Sequence, residues 1–252
     1  MSRLAQAGGT MRRSGMILRL LPIAAMILPA GAPAAPPVST RDRSIGSFER
    51  LRVAGPFEVR IETGAPPSAR IEADDTVIDR IEVAVEGDTL VVRMGHEGWG
   101  ETPVGRADAP PVVTLSTPML RSIAVSAGAH VAAGRMTGER VNLAVNGAGK
   151  VEVASAQATE LLGTVIGAGS LTVAGKALRA RLLTNGPGTI DAGDLDASDL
   201  TVRLDGTGET RARARYTARV TDTGVGRVTV LGEATCVVSA AAGGPVACGK
   251  GS

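Results

Sequence analysis

Asn146-Gly-Ala-Gly-Lys-Val151, Ile166-Gly-Ala-Gly-Ser-Leu171, Asn185-Gly-Pro-Gly-Thr-Ile190, Asp205-Gly-Thr-Gly-Glu-Thr210 and Thr223-Gly-Val-Gly-Arg-Val228 are five copies of one phrase. A degenerate copy, Ser126-Ala-Gly-Ala-His-Val131, precedes them. The first glycines, Gly147, Gly167, Gly186, Gly206 and Gly224, are 20, 19, 20 and 18 residues apart, and the second are Gly149, Gly169, Gly188, Gly208 and Gly226. A fixed period of this length is the mark of a stacked repeat.

The flanks keep step with the glycines. Leu143, Gly163, Leu182, Val202 and Val220 stand four residues before each first glycine; Val151, Leu171, Ile190, Thr210 and Val228 stand four after. They alternate with polar residues such as Asn142, Lys150, Glu152, Arg203 and Arg227. Period two is the strand period. Each unit therefore reads as strand, Gly-x-Gly corner, strand. One unit cannot bury its apolar face alone, but units stacked about 4.8 Å apart close their hydrogen bonds and merge their apolar columns. The predicted fold is all-β: a right-handed parallel β-helix, or β-solenoid, with rungs of about 20 residues. The hand follows the general bias of parallel crossovers.

Composition agrees. Aromatic residues make up 2% of the 252 residues, while Gly numbers 33. A thin interior filled by Val, Leu, Ile and Ala needs few rings, and tight corners need glycine.

Residues 11–34 run from Arg12-Arg13 through an apolar stretch, Met16–Leu28, to small residues. This is the order of a secretory signal peptide. Residues 1–34 are read as that peptide, cleaved after Ala34, with either Met1 or Met11 as the start. The apolar run is too short and broken for a membrane span, so no transmembrane segment is expected after its removal. The leader holds Arg3, Arg12, Arg13 and Arg19 and no acid, so the net +2 of the whole chain becomes 23 basic against 25 acidic residues without it. That balance gives no support to nucleic-acid binding. The chain is read as exported, to the periplasm or cell surface of a bacterium. In that compartment the pair Cys236 and Cys248 reads first as a disulfide. The Gly-x-Gly pattern stops after the Val228 unit, and a bridge there is expected to fold the tail back over the last rung.

Residues 35–44 are read as a short linker and 45–252 as a single solenoid domain. Alternation begins at Phe48-Glu-Arg-Leu-Arg-Val-Ala-Gly-Pro-Phe57. A turn at Gly87-Asp88 parts Val85 from Leu90, and Asp75 to Arg80 fit one helical turn capped by Asp74 or Asp75. Residues 94–111, rich in Gly and Pro, form a loop excursion. Phe48…Val53-x-Gly55-x-Phe57-x-Val59, the turn Glu86-Gly-Asp-Thr-Leu90 and the string of Gly-x-Gly repeats together resemble the putative auto-transporter adhesin, head GIN domain family over about residues 45–240. The resemblance implies a secreted or periplasmic β-helix and carries over no catalytic residue.

The side chains offer three candidate chemistries. Asp191, Asp194, Asp196 and Asp199 could bind Ca²⁺ as in β-helix polysaccharide lyases, or could simply make Asx-turns and solvate strand ends. Arg211, Arg213 and Arg215 alternate with alanines on one strand face, to grip an anionic glycan or to form a solvated outer surface. Trp99 in the excursion could stack on a sugar, or fold back as a lid. His96 and His130, far apart in sequence, make neither a metal site nor a triad. A Gly-x-Gly followed by strand rather than helix is no nucleotide site. No cofactor, catalytic residue or metal is expected. The leading reading is a non-enzymatic, adhesin-like envelope protein that binds a glycan or protein. A polysaccharide-active enzyme and an element that self-associates through its solenoid ends are the alternatives.

Overall fold

Alternating apolar residues separated by Gly-x-Gly corners do build a stack. The structure, a computed structural model, describes residues 38–95 and 109–249. These form a β-solenoid of about six turns with rungs about 20 residues apart, and 71% of them are strand. The five long strands are β9 (His130–Asn146), β10 (Lys150–Ile166), β11 (Ser170–Asn185), β12 (Thr189–Asp205) and β13 (Glu209–Asp222), each parallel to the next. Each runs from one glycine corner to the following one and bends where its inward phase changes. In β10 the inward residues are Val151 and Val153, then Ala156, then Leu161, Gly163 and Val165.

Register turns these positions into columns. One runs Leu51, Ile123, Leu143, Gly163, Leu182, Val202, Val220 and Val238. Gly163 leaves no hole in it, since a Cβ there would meet Leu182 Cδ2 at 2.9 Å and Leu171 Cδ2 at 3.0 Å. Each fully buried Val or Leu in such a column contributes roughly 1.5–3 kcal/mol.

The first half of the chain joins the same stack, out of sequence order. Its strands are β1 (Val38–Arg43), β2 (Arg50–Ala54), β3 (Glu58–Thr63), β4 (Ser68–Asp74), β5 (Ile81–Glu86), β6 (Thr89–Met94), β7 (Val112–Thr117) and β8 (Ser122–Ser126). β2 is parallel to both β6 and β8, and β3 to both β7 and β9. The β2–β3 rung thus lies between one built later from β6 and β7 and another from β8 and β9. The corner at Gly55 matches the place where the 94–111 excursion leaves β6 and returns to β7. Most of that excursion, with Trp99 and His96, lies outside the described residues.

Antiparallel strands close this end. β4 runs antiparallel to β7, β1 to β4, and β5 to β6. The expected linker 35–44 needs correction: residues 38–43 are strand β1, which pairs along its whole length with β4. After Val38 its side chains are polar on both faces, so no apolar alternation marks it. The predicted helical turn is α1 (Asp75–Ile78), capped by Asp74, whose carboxylate accepts the Thr76 N–H at 2.8 Å.

The other end also differs from expectation. The stacking does not stop with β14 (Arg227–Leu231). β15 (Thr235–Ala240) pairs with β13, and β16 (Val246–Cys248) pairs with β14, both parallel. The tail is therefore a further partial rung. The Cys236–Cys248 bridge lies within it, with Cα atoms 6.3 Å apart, in the ordinary range for a disulfide. Cys236 continues the column of Val141, Leu161, Leu200 and Ala218, and Cys248 stacks on Val230.

Candidate functional site

The two glycines of each corner serve different ends. Gly147, Gly167, Gly186 and Gly206 have φ between +93° and +132°, in the region that disfavours side chains. The second glycines do not share that conformation; what they lack is room. A Cβ on Gly188 would lie 2.6 Å from Val165 Cγ1 and 2.7 Å from both the Gly167 and Gly169 carbonyl oxygens of the rung below. The corners are structural, and chemistry must sit on the outer faces.

There many charged residues are paired, some along one strand and others between rungs. Glu152 accepts from Lys150 at 2.7 Å and meets His130 Nε2 at 2.9 Å. The Lys150 ammonium first, and then His130, hold its carboxyl below the usual range. Glu160 stands between Arg140 at 3.0 Å and Arg181 at 3.6 Å.

The arginine trio does not form one row. Between Ala192 and Asp196 the register of β12 against β13 jumps, which puts Arg211 on one side of a bend and Arg213 on the other. Arg211 lies 3.6 Å from Asp191, Arg213 Nε donates to the Gly193 carbonyl at 2.9 Å, and Arg215 pairs with Asp196. Each member of the trio reaches to the rung beneath it.

The aspartates do not converge either. Asp191 turns back to accept the Gly193 N–H at 3.0 Å, Asp196 takes Arg215, and Asp199 accepts from the Thr217 hydroxyl at 2.6 Å. Among the described residues no group of three or more His, Cys, Asp or Glu is placed to hold a metal ion. The lyase-like reading loses its geometric basis.

One outer corner does collect mixed chemistry. Gln157, Lys176 and Asp196 lie in register on successive strands, β10 to β12. Behind them Ala158, Ala177, Ala197 and Ala214 are matched in the same way. These small side chains leave a groove of about 400 Å³, walled by Gln157, Lys176, Asp196, Arg215 and Leu178, with Ala158, Ala177 and Ser198 also lining it. Beside it a second register shift sets Arg215 and Tyr216 opposite the single Ser198, and the bulge throws both outward. Tyr216 is 61% exposed and Leu178 53%. The Tyr216 hydroxyl bonds to Arg215. Sequence reading passes over Tyr216, because a lone ring in an alternating strand gives no sign of a bulge.

Among the described residues no helix is long and apolar enough to cross a membrane. A family model described as "Putative auto-transporter adhesin, head GIN domain" matches residues 47–234. A crystal structure of a "putative adhesin" from Bacteroides fragilis is similar over 83% of this chain and 96% of its own, at 23% identity and a TM-score of 0.75. A "putative adhesin" from Parabacteroides merdae covers 83% and 95% at 16% identity and a TM-score of 0.64. A "putative lipid binding protein" from Parabacteroides distasonis covers 85% and 95% at 17% identity and a TM-score of 0.62. At such identities the likeness carries the fold alone. No curated protein matches the chain. The family model takes in the opening phrase, the interleaved rungs and the glycine-cornered stack as far as residue 234, and the chain belongs to the family described as "Putative auto-transporter adhesin, head GIN domain".

Proposed function

We propose that the protein is an exported, non-enzymatic envelope protein that binds a glycan through the lateral groove beside Tyr216. The observation that carries this reading is the groove itself. An exposed ring stands beside a carboxylate, a guanidinium, an amide and an ammonium held at fixed spacing by successive rungs. A ring stacks on the C–H face of a sugar, and planar polar groups take its hydroxyls. Export and cleavage after Ala34 rest on the leader sequence, and the family's adhesin description supports a surface or periplasmic setting.

A glycan array probed with the mature protein tests the reading. At least one class of oligosaccharide is expected to be retained, and Tyr216→Ala should weaken it about tenfold, the loss of one stacked ring. Binding that survives Tyr216→Ala undiminished would move the site elsewhere, and an array without hits would sink the glycan reading.

Self-association is a second reading, favoured by one observation. β15 forms an open edge with Val237 59% and Val238 45% exposed, and bare strand edges recruit other chains.

A further inference from the structure

The interleaved rung carries a second groove on its outer face, and side-chain length makes it. Arg50 and Arg52 project outward from β2, two residues apart and so on one face. On the next strand, β8, they meet only Ser122 and Ala124, and Ser122 in turn meets Asn142 of β9. Long side chains beside short ones leave a groove of about 650 Å³, with Arg140 and Asn142 on its far side. Arg121, just before β8, adds a third guanidinium beside Arg50 and Arg52. Its stem lies against Gly138, where a Cβ would come within 3.3 Å of Arg121 Cγ and 3.4 Å of Cδ. The missing Cβ makes room for this arginine.

The guanidinium groups are only partly engaged. Arg50 stands 3.4 Å from Asp88, Arg121 3.2 Å from Glu49 and Arg140 3.0 Å from Glu160. Each carries five N–H donors, so one such contact leaves several of them free. The arginines of these pairs are exposed, and exposed pairs hold weakly. Arg52 has no hydrogen-bond or ion-pair partner among the described residues. In the groove's lining four arginines face three carboxylates, Glu49, Asp88 and Glu139. The lining is thus net positive, and Arg52, across the groove from Glu139, is its unpartnered cation.

Guanidinium groups grip oxyanions through paired N–H donors. A planar carboxylate is satisfied by one such fork. Three forks, with the Ser122 hydroxyl and the Asn142 amide between them and Arg140, suit a tetrahedral group that offers three oxygens. We propose that this groove binds the phosphate of a phosphomonoester, with Arg52 as its main contact and Arg50 and Arg121 beside it. A sugar phosphate and a phospholipid headgroup share that chemistry. The groove is larger than the phosphate alone and leaves space for the rest of the ligand. It lies on other strands than the groove beside Tyr216 and is independent of what that groove holds.

Titration calorimetry of the mature protein with glucose monophosphate, and with glucose as the control, is the first arm of the test. Cosedimentation with phosphatidylcholine vesicles, with and without phosphatidic acid, is the second. Binding in the first arm alone assigns a soluble phosphate ester, and binding in the second alone assigns a lipid headgroup. In either case Arg52→Gln, a change at an exposed side chain, should weaken binding about tenfold, the loss of one charge-assisted contact. Glu139→Gln should tighten it about twofold by removing a repelling charge from the far wall. Arg219 is exposed and without a partner further along the column of Arg50, so Arg219→Gln serves as the control and should change nothing. Tyr216→Ala should likewise leave this binding unchanged. An equal loss in Arg219→Gln would mean diffuse attraction to a basic surface and would overturn the site. So would an equal response to glucose, or no binding in either arm.

Discussion

Gly188→Val is expected to destabilise the protein by about 3 kcal/mol or more, the upper range for overpacking. The added Cβ would fall 2.6–2.7 Å from Val165 Cγ1 and from two carbonyl oxygens of the rung below. Backbone is the rigid partner here, so relief requires the rungs to part. Parting them stretches the bond from Thr189 N–H to Gly169 O. Gly147→Val should cost less, about 1–2 kcal/mol, because it meets only the left-handed backbone penalty. At φ +93° its nearest obstacle is Ala127 N at 3.8 Å. Gly46→Ala, with nothing within 4 Å, serves as the neutral control. Urea melts of the three variants check the order. A Gly188→Val protein as stable as Gly147→Val would show that the rungs at this corner are not held at close contact.

The double variant Cys236→Ser, Cys248→Ser is the other large effect. The bridged cysteines are 12 residues apart, and closing a loop of that size stabilises by roughly 3 kcal/mol in the chain-entropy model. The bridge joins two inward positions of a partial rung that has a neighbour on one side only. Without it, β15 and β16 should detach before the rest of the stack. Hydrogen exchange should then quicken in residues 235–248 while β10 and β11 keep their protection. The newly bared edge of β13 and β14 should promote association, visible in sedimentation. Protein from an oxidising compartment should carry no free thiol when unfolded without reductant; two titratable thiols would refute the bridge.

The period of the glycines sufficed to read the stack from Gly147 to Val230, because corner and column repeat together. Other features left no local trace. Nothing in Phe48 to Ile61 tells which strands will flank it, since alternation fixes an inward face and not a neighbour. β1 reads as linker because an edge strand with two polar faces has no apolar period. The last partial rung escapes the repeat because Gly243-Gly244-Pro245 no longer spells the corner, although Val246 still falls in the column of Val228. The need for the second glycines depends on the distance between rungs, which spacing along the chain does not encode. Alternation sets Arg215 in a row with Arg211 and Arg213, but the register shifts in β12 and β13 decide which side chains meet, and they set it against Asp196.

The interleaved rung at the closed end has a consequence for the order of assembly. From β9 to β13 each strand pairs with the one laid down just before it, so this part can grow by short-range closure, the fast route. β2 and β3 cannot. Leu51 pairs with Leu90 on one side and Ile123 on the other, and Val59 with Val113 and Val131. Long loops must close before this rung gains either neighbour. The segment that is synthesised first is therefore among the last to be locked in place. In a chain delivered across a membrane with its N-terminus leading, residues 48–63 would wait, extended and apolar on one side, until more than half of the sequence had followed. That interval is when a chaperone, or a mispaired strand, has its best access to the chain.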